Sequence, residues 1–194
     1  MEKNPVYEFV KKKGWVTFRE LEQEGLSYYD LEKLMKEGVV VQEERGIYQL
    51  EDTYIDEYFA YQYRFPKAVF SLETALWLHG LSLTVPFEPV MTVAYGTNTK
   101  GLKEAGIKPV VVRSHQDLGV VRIERQKGQA IAVYDKERTL VECLRSVYSI
   151  DVQVIGPAFR MYVQQGEVNL PRLFEYARIF RVEKKLQSYI EVLT

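Results

Sequence analysis

The residues able to do covalent chemistry are few in this chain of 194 residues, which has two histidines and one cysteine. Cys143 lies in TLVECLRSV beside Leu140, Val141 and Leu144, an inner helical stripe on which a thiol acts as a small hydrophobe. No motif ties either histidine to it, so nucleophilic catalysis lacks its base. His79 stands next to Gly80 at the end of an apolar segment, where an imidazole is usefully placed for the helix dipole alone, with a ligand or catalytic base as the less favoured reading. So few nitrogen and sulfur donors leave almost nothing for a four-ligand zinc site. The segment RIERQK offers Glu124 and Lys127, a fragment of a metal-dependent nuclease pattern, but their spacing puts them on opposite faces of a strand. The glycines of YGTNTKGLKEAGIK do not follow the spacing of a phosphate-cradling loop. Glu137 and Arg138, with no nucleophile or phosphate loop nearby, read as a structural ion pair. The expectation is a protein without catalytic residues, metal or cofactor, with a nucleic-acid-processing enzyme as the less favoured alternative.

A second set of residues is suited to contacts rather than turnover. Arg19, Ser27, Tyr28, Tyr29, Lys33, Lys36 and Arg45 carry hydroxyls and fixed positive charges within one short stretch, groups that meet phosphates and base edges. The elements around them are legible. Asn4 before Pro5 starts a helix with Val6, Phe9 and Val10 on one face, stopped by Gly14. Thr17 with Glu20 three residues on is a capping box for a two-turn helix that ends at Gly25. Ser27 caps a third helix whose Leu31, Leu34 and Met35 face inward before Gly38 closes it. The alternating VVVQEERGIYQL then turns at Glu44, Arg45 and Gly46, a two-stranded hairpin. Helix, helix, short turn, helix, hairpin is the order of a winged helix-turn-helix, with residues 27–37 as the helix for a major groove and Arg45 at the wing tip.

The remaining residues read as a connecting helix over 51–69 and a C-terminal domain over 70–194. Ser71 is expected to cap an apolar helix ending at Gly80. PVMTVAY, PVVVR, GVVRIERQ and QAIAVYD supply short strands of one sheet. Asp135 caps the helix of DKERTLVECLRSV, and further helices are expected near 151–165, 170–179 and 182–192. The fold class is therefore α+β, a winged helix-turn-helix at residues 1–50 followed by a C-terminal α+β domain with a small sheet and several helices.

Charge gives mixed counsel. The whole chain stands at net −1 with pI near 6.2, far from the strong basicity that advertises nucleic-acid binding. Residues 1–50 hold eight basic against ten acidic residues, which leaves a protein-docking winged helix without DNA binding as an open alternative. Residues 100–128 hold seven basic against three acidic and residues 160–185 six against three. Lys100, Lys103, Arg122, Arg125, Lys127, Arg178 and Arg181 are the candidate phosphate contacts there. Apolar runs such as KAVF and PVVVR are far shorter than a membrane span, and the charged N-terminus lacks the apolar core of a secretory signal. A cytoplasmic protein with no membrane association is expected.

Three segments in order resemble the AbiEi antitoxins of type IV toxin-antitoxin and phage-exclusion systems. The first is GWVTFRELEQEGLSYYDLEKLMKEGVVVQEERGIYQL, with Gly25-Leu26, Gly38 and the closing Arg-Gly-Ile-Tyr. The others are FSLETALWLHGLS and VYDKERTLVECLR, the latter with Glu142 where the family often has Asp. The resemblance implies a winged helix that binds inverted repeats upstream of its own operon and represses it. It also implies a C-terminal domain that counters a nucleotidyltransferase-like toxin without a stable complex.

Overall fold

The computed structural model describes residues 4–44 and 46–193, with Glu43, Glu44, Val192 and Leu193 described by backbone only. Two compact units emerge, residues 1–64 with 124–130 and residues 65–123 with 131–194.

The first unit opens with α1 (Pro5–Lys13), whose Asn4 side chain accepts from the Val6 amide at 2.9 Å. β1 (Trp15–Thr17) leads into α2 (Phe18–Gln23) through the expected reciprocal cap. Thr17 Oγ1 accepts from the Glu20 amide at 3.2 Å, and Glu20 Oε2 accepts from the Thr17 amide at 2.9 Å. Burial works to raise the Glu20 carboxyl, but bonds from Lys13 and Thr17 outweigh it and leave the group below its ordinary value. A carboxylate depressed in the fold stabilises above its unfolded pKa, so this contribution fades as pH falls through the folded value. Thr17→Ala is expected to cost about 1 kcal/mol in urea unfolding at neutral pH, with a smaller difference at acid pH.

After α2 the chain reverses in one turn. Gly25 adopts φ +67°, and the Leu26 amide reaches back to the Leu21 carbonyl at 2.8 Å, which closes α2 and aims α3 (Tyr28–Lys36) across it. β2 (Val40–Glu44) and β3 (Ile47–Leu50) form the wing, with a bulge between Gln42 and Glu44. The sheet has three strands rather than the two read from the sequence, because β1 pairs antiparallel with β3 in the order β1-β3-β2. Val6, Val10, Val16, Leu21, Leu31, Leu34, Val40 and Tyr48 make the core, so α1, α2, α3 and all three strands contribute. Leu31→Ala should cost roughly 2–5 kcal/mol, read as a lowered denaturation midpoint.

α4 (Glu57–Arg64) completes this unit. Asp56 caps it, with Oδ1 accepting from Tyr58 and Phe59 amides at 3.0 and 3.3 Å. The Gln129 side chain accepts from the Asp56 amide at 2.8 Å and donates to the Tyr54 carbonyl at 3.0 Å. These bonds fasten residues 124–130, and the Trp15 ring packs 4.8 Å from Phe59.

The second unit centres on a sheet of order β6-β5-β4-β8-β7, whose β7–β8 end, residues 124–130, belongs to the first unit: β4 (Val69–Phe70), β5 (Val90–Ala94), β6 (Lys108–Val112), β7 (Val120–Gln126) and β8 (Gln129–Tyr134). β4 is antiparallel to β5 and parallel to β8, and β5 is parallel to β6. Around it lie α5 (Leu72–Leu78), the short α6 (Lys100–Glu104), α7 (Lys136–Cys143), α8 (Val152–Gln164), α9 (Leu170–Phe180) and α10 (Glu183–Leu193). Leu76, Leu140, Phe159, Tyr162, Leu173 and Leu186 belong to one buried cluster that joins α5 and α7 to α10. Ser71 stands at the N-cap of α5 but makes no side-chain cap, because its hydroxyl accepts from Thr92 at 2.9 Å instead.

Candidate nucleic-acid interface

α3 is built to present one face. Leu31 and Leu34 are buried in the winged-helix core, while Tyr29, Lys33 and Lys36 stand exposed at i, i+4 and i+7 on the opposite side. Neither lysine has an ion-pair partner among the described residues. Ser27 is exposed, and its hydroxyl accepts from the Tyr29 amide at 3.2 Å, so it starts the helix as well as facing solvent. Tyr28 is exposed and meets Phe18 edge-on, ring centres 5.2 Å apart, which holds the starts of α2 and α3 together. Arg19 follows Phe18 and is exposed. Arg45 lies outside the described residues. The arrangement offers two ammoniums, a guanidinium and two phenols around the helix that a helix-turn-helix inserts, groups suited to phosphate oxygens and base edges.

The other candidate cations fall in different places. Lys127 and Arg125 belong to the first unit, whereas Lys100, Lys103, Arg122, Arg178 and Arg181 belong to the second. The basic stretch 100–128 is therefore divided between the two units. Arg125 is a correction: its Nε lies 3.2 Å from Asp56 Oδ2 and its guanidinium 5.5 Å from the Tyr58 ring, so it holds the α4 cap rather than standing free for a phosphate. Lys100 pairs loosely with Glu104 at 3.7 Å, and Arg178 with Glu183 at 3.5 Å, both in solvent. Lys103, Arg122, Lys127 and Arg181 are exposed.

The expected Glu137–Arg138 ion pair is replaced by two separate contacts, because adjacent residues on a helix point about 100° apart. Glu137 accepts from the Tyr162 hydroxyl at 2.6 Å. Arg138 is fully buried and pairs with Glu142 one turn on, Nε to Oε2 3.5 Å. Its Nη1 donates to the carbonyls of His115 and Leu118, and its guanidinium stacks 3.4 Å over Tyr134. Sequence reading missed this lock on loop 115–118, and the only signal for it was an arginine on an otherwise apolar helix face.

The remaining chemical candidates are structural. His79 Nε2 donates to the Tyr134 carbonyl at 2.6 Å; burial lowers its pKa, partly offset by that bond. The imidazole is then neutral near pH 7, so it serves the fold by a hydrogen bond rather than by charge at a helix end. Cys143 is buried, and burial pushes its thiol far above the ordinary range. Among the described residues, no cluster of three or more His, Cys, Asp or Glu is placed to hold a metal, and no helix is long and apolar enough to cross a membrane.

Comparison with solved structures finds the fold elsewhere. The RV2827C protein from Mycobacterium tuberculosis superposes with a TM-score of 0.58 at 13% identity, over 89% of this chain and 70% of that one. At that identity the likeness speaks to fold alone. No curated protein sequence matches. Residues 4–50, which span α1 to the wing, match the family described as "Transcriptional regulator, AbiEi antitoxin". Over that segment the chain is similar to the AbiEi antitoxins, a family of transcriptional regulators, and the segment folds as the winged helix described above.

Proposed function

We propose that this protein is the antitoxin of a type IV toxin-antitoxin system and represses its own operon by binding inverted repeats in the promoter. The observation that carries the reading is the exposed Tyr29, Lys33 and Lys36 stripe on α3, set opposite buried Leu31 and Leu34 in a helix-turn-helix. Such a helix is rigid against rotation about its axis, so the same three side chains always face outward. Arg19, Ser27, Tyr28 and Arg45 flank it, and Lys100, Lys103, Arg122, Lys127, Arg178 and Arg181 add phosphate contacts that position the duplex without reading it.

The second unit counters a nucleotidyltransferase-like toxin without forming a stable complex with it, and the protein acts in the cytoplasm without catalysis or cofactor. Toxin rescue by co-expression, with no co-purified complex, is the expected result for that half. For the DNA half, a gel-shift titration should show tighter binding to the upstream repeats than to random duplex of equal length. Equal affinity for both would overturn sequence-specific repression. The exposed Phe18, Tyr28 and Tyr29 rings favour a second reading, a winged helix that docks protein. That reading predicts no salt-dependent DNA affinity at all.

A further inference from the structure

The second unit carries a cleft of about 520 Å³ where the end of α7 meets the junction of α9 and α10, walled by Arg145, Phe180, Arg181, Lys184 and Lys185 with Glu183 as its one acid. That volume lies within the range typical of small-ligand sites. Glu183 pairs with Arg178 at 3.5 Å in solvent, and the lining holds four cations against this one acid.

Two of those cations are held in place. Arg145 Nη1 lies 3.4 Å from Glu142 Oε1 and donates to the Tyr148 hydroxyl at 3.1 Å, and its guanidinium sits 5.2 Å from the Phe180 ring. Lys185 Nζ donates to the Leu144 carbonyl at 2.9 Å. Behind Phe180, Arg138 stacks at 5.4 Å from the same ring, fully buried, with its Nη2 lacking a hydrogen-bond partner among the described residues. Glu142 is therefore one carboxylate shared by two arginines, and the group Arg138, Glu142 and Arg145 carries a surplus positive charge in a largely buried setting. Uncompensated charge away from water is costly, and an anion in the cleft offsets it.

Arg181 adds a separate sign. It closes α9 in a Schellman turn, with the Val182 amide on the Ala177 carbonyl at 2.9 Å, and takes φ +58°. The same turn at the ends of α2, α3, α5 and α6 is filled by Gly25, Gly38, Gly80 and Gly106. A guanidinium stands here where glycine would fit without strain.

We propose that this cleft is a binding site for a small ligand bearing two or more phosphoryl groups, gripped by Arg145, Arg181, Lys184 and Lys185. Multiple cations converging on one cleft match clustered phosphoryl oxygens better than a single carboxylate, and guanidiniums meet them bidentately. The site is independent of the winged helix and does not require that the protein bind DNA.

The test uses the full chain and inorganic triphosphate as probe, followed by calorimetry and thermal shift in about 0.15 M salt, where exposed single charges are largely screened. Saturable single-site binding and a raised melting temperature are expected. Arg181→Gly removes the cation and relieves the left-handed residue, so the apo protein should melt at the same or a higher temperature while triphosphate affinity falls at least about tenfold. Lys184→Ala, at an exposed residue, should weaken binding in the same direction, and the surface variant Lys67→Ala should not. A short duplex is titrated in parallel. The proposal is overturned by absence of saturable triphosphate binding below about 1 mM, by unchanged affinity in both Arg181→Gly and Lys184→Ala, or by variants that weaken duplex binding alone.

Discussion

Arg138→Ala is expected to lower the unfolding free energy by about 3–5 kcal/mol, the range for removing one partner of a buried ion pair. The guanidinium has no exposed surface, and its loss strips the His115 and Leu118 carbonyls of their donor while leaving Glu142 to Arg145 alone. At roughly 2–4 °C per kcal/mol for a chain of this size, the melting temperature should drop by at least about 6 °C. The pH dependence separates charge from packing. Burial already raises the Glu142 carboxyl, with Arg138 and Arg145 pulling the other way, so without Arg138 it rises further. An acid whose folded pKa exceeds its unfolded one loses stability as pH climbs between the two. The deficit of the Arg138→Ala protein should therefore shrink toward pH 5 and widen toward pH 8. Pairing Arg138→Met with Glu142→Gln should recover part of it. A loss below about 1 kcal/mol at every pH would show that this buried pair does not hold loop 115–118.

Replacing Lys33 and Lys36 together by alanine is expected to weaken operator binding roughly thirtyfold in about 0.15 M salt. The figure follows from counterion release, in which each phosphate neutralised contributes a factor of about five to six at that ionic strength. Both lysines are exposed in the last turns of α3 and take no part in its core, so melting temperature should hold within about a degree of wild type. Tyr29→Ala belongs to the same face. It should reduce the preference for operator over random duplex more than the overall affinity, because a phenol at a base edge reads sequence whereas an ammonium at a phosphate does not.

Much of the winged helix was legible because its punctuation is local. Thr17 with Glu20, Ser27 before Tyr28, and Gly25 and Gly38 after their helices each declare a boundary within four residues, and the structure places caps and turns there. β1 was not legible as a strand: three residues, Trp15 to Thr17, carry no alternation, and only long-range pairing with Ile47 to Gln49 makes them one. β4 escaped for the same reason. Val69 and Phe70 are two residues with apolar neighbours, yet they sit at the centre of the five-stranded sheet. Ser71 looked like a cap because its type and position fit one, but Thr92 across the sheet takes its hydroxyl. Arg125 looked like a free cation because its partner, Asp56, lies 69 residues away. Charge along a sequence therefore overstated one phosphate contact, and the buried Arg138 and the cleft beside Phe180 depended on contacts between helices that no window of sequence contains.

The most direct test of the account is the slope of log affinity against log salt for the promoter repeats, measured by fluorescence anisotropy on wild type and the Lys33→Ala, Lys36→Ala protein. If α3 lies against the duplex, the double variant should show a slope shallower by about two, one for each ammonium lost from a phosphate. Identical slopes in the two proteins would contradict the placement of α3 on DNA.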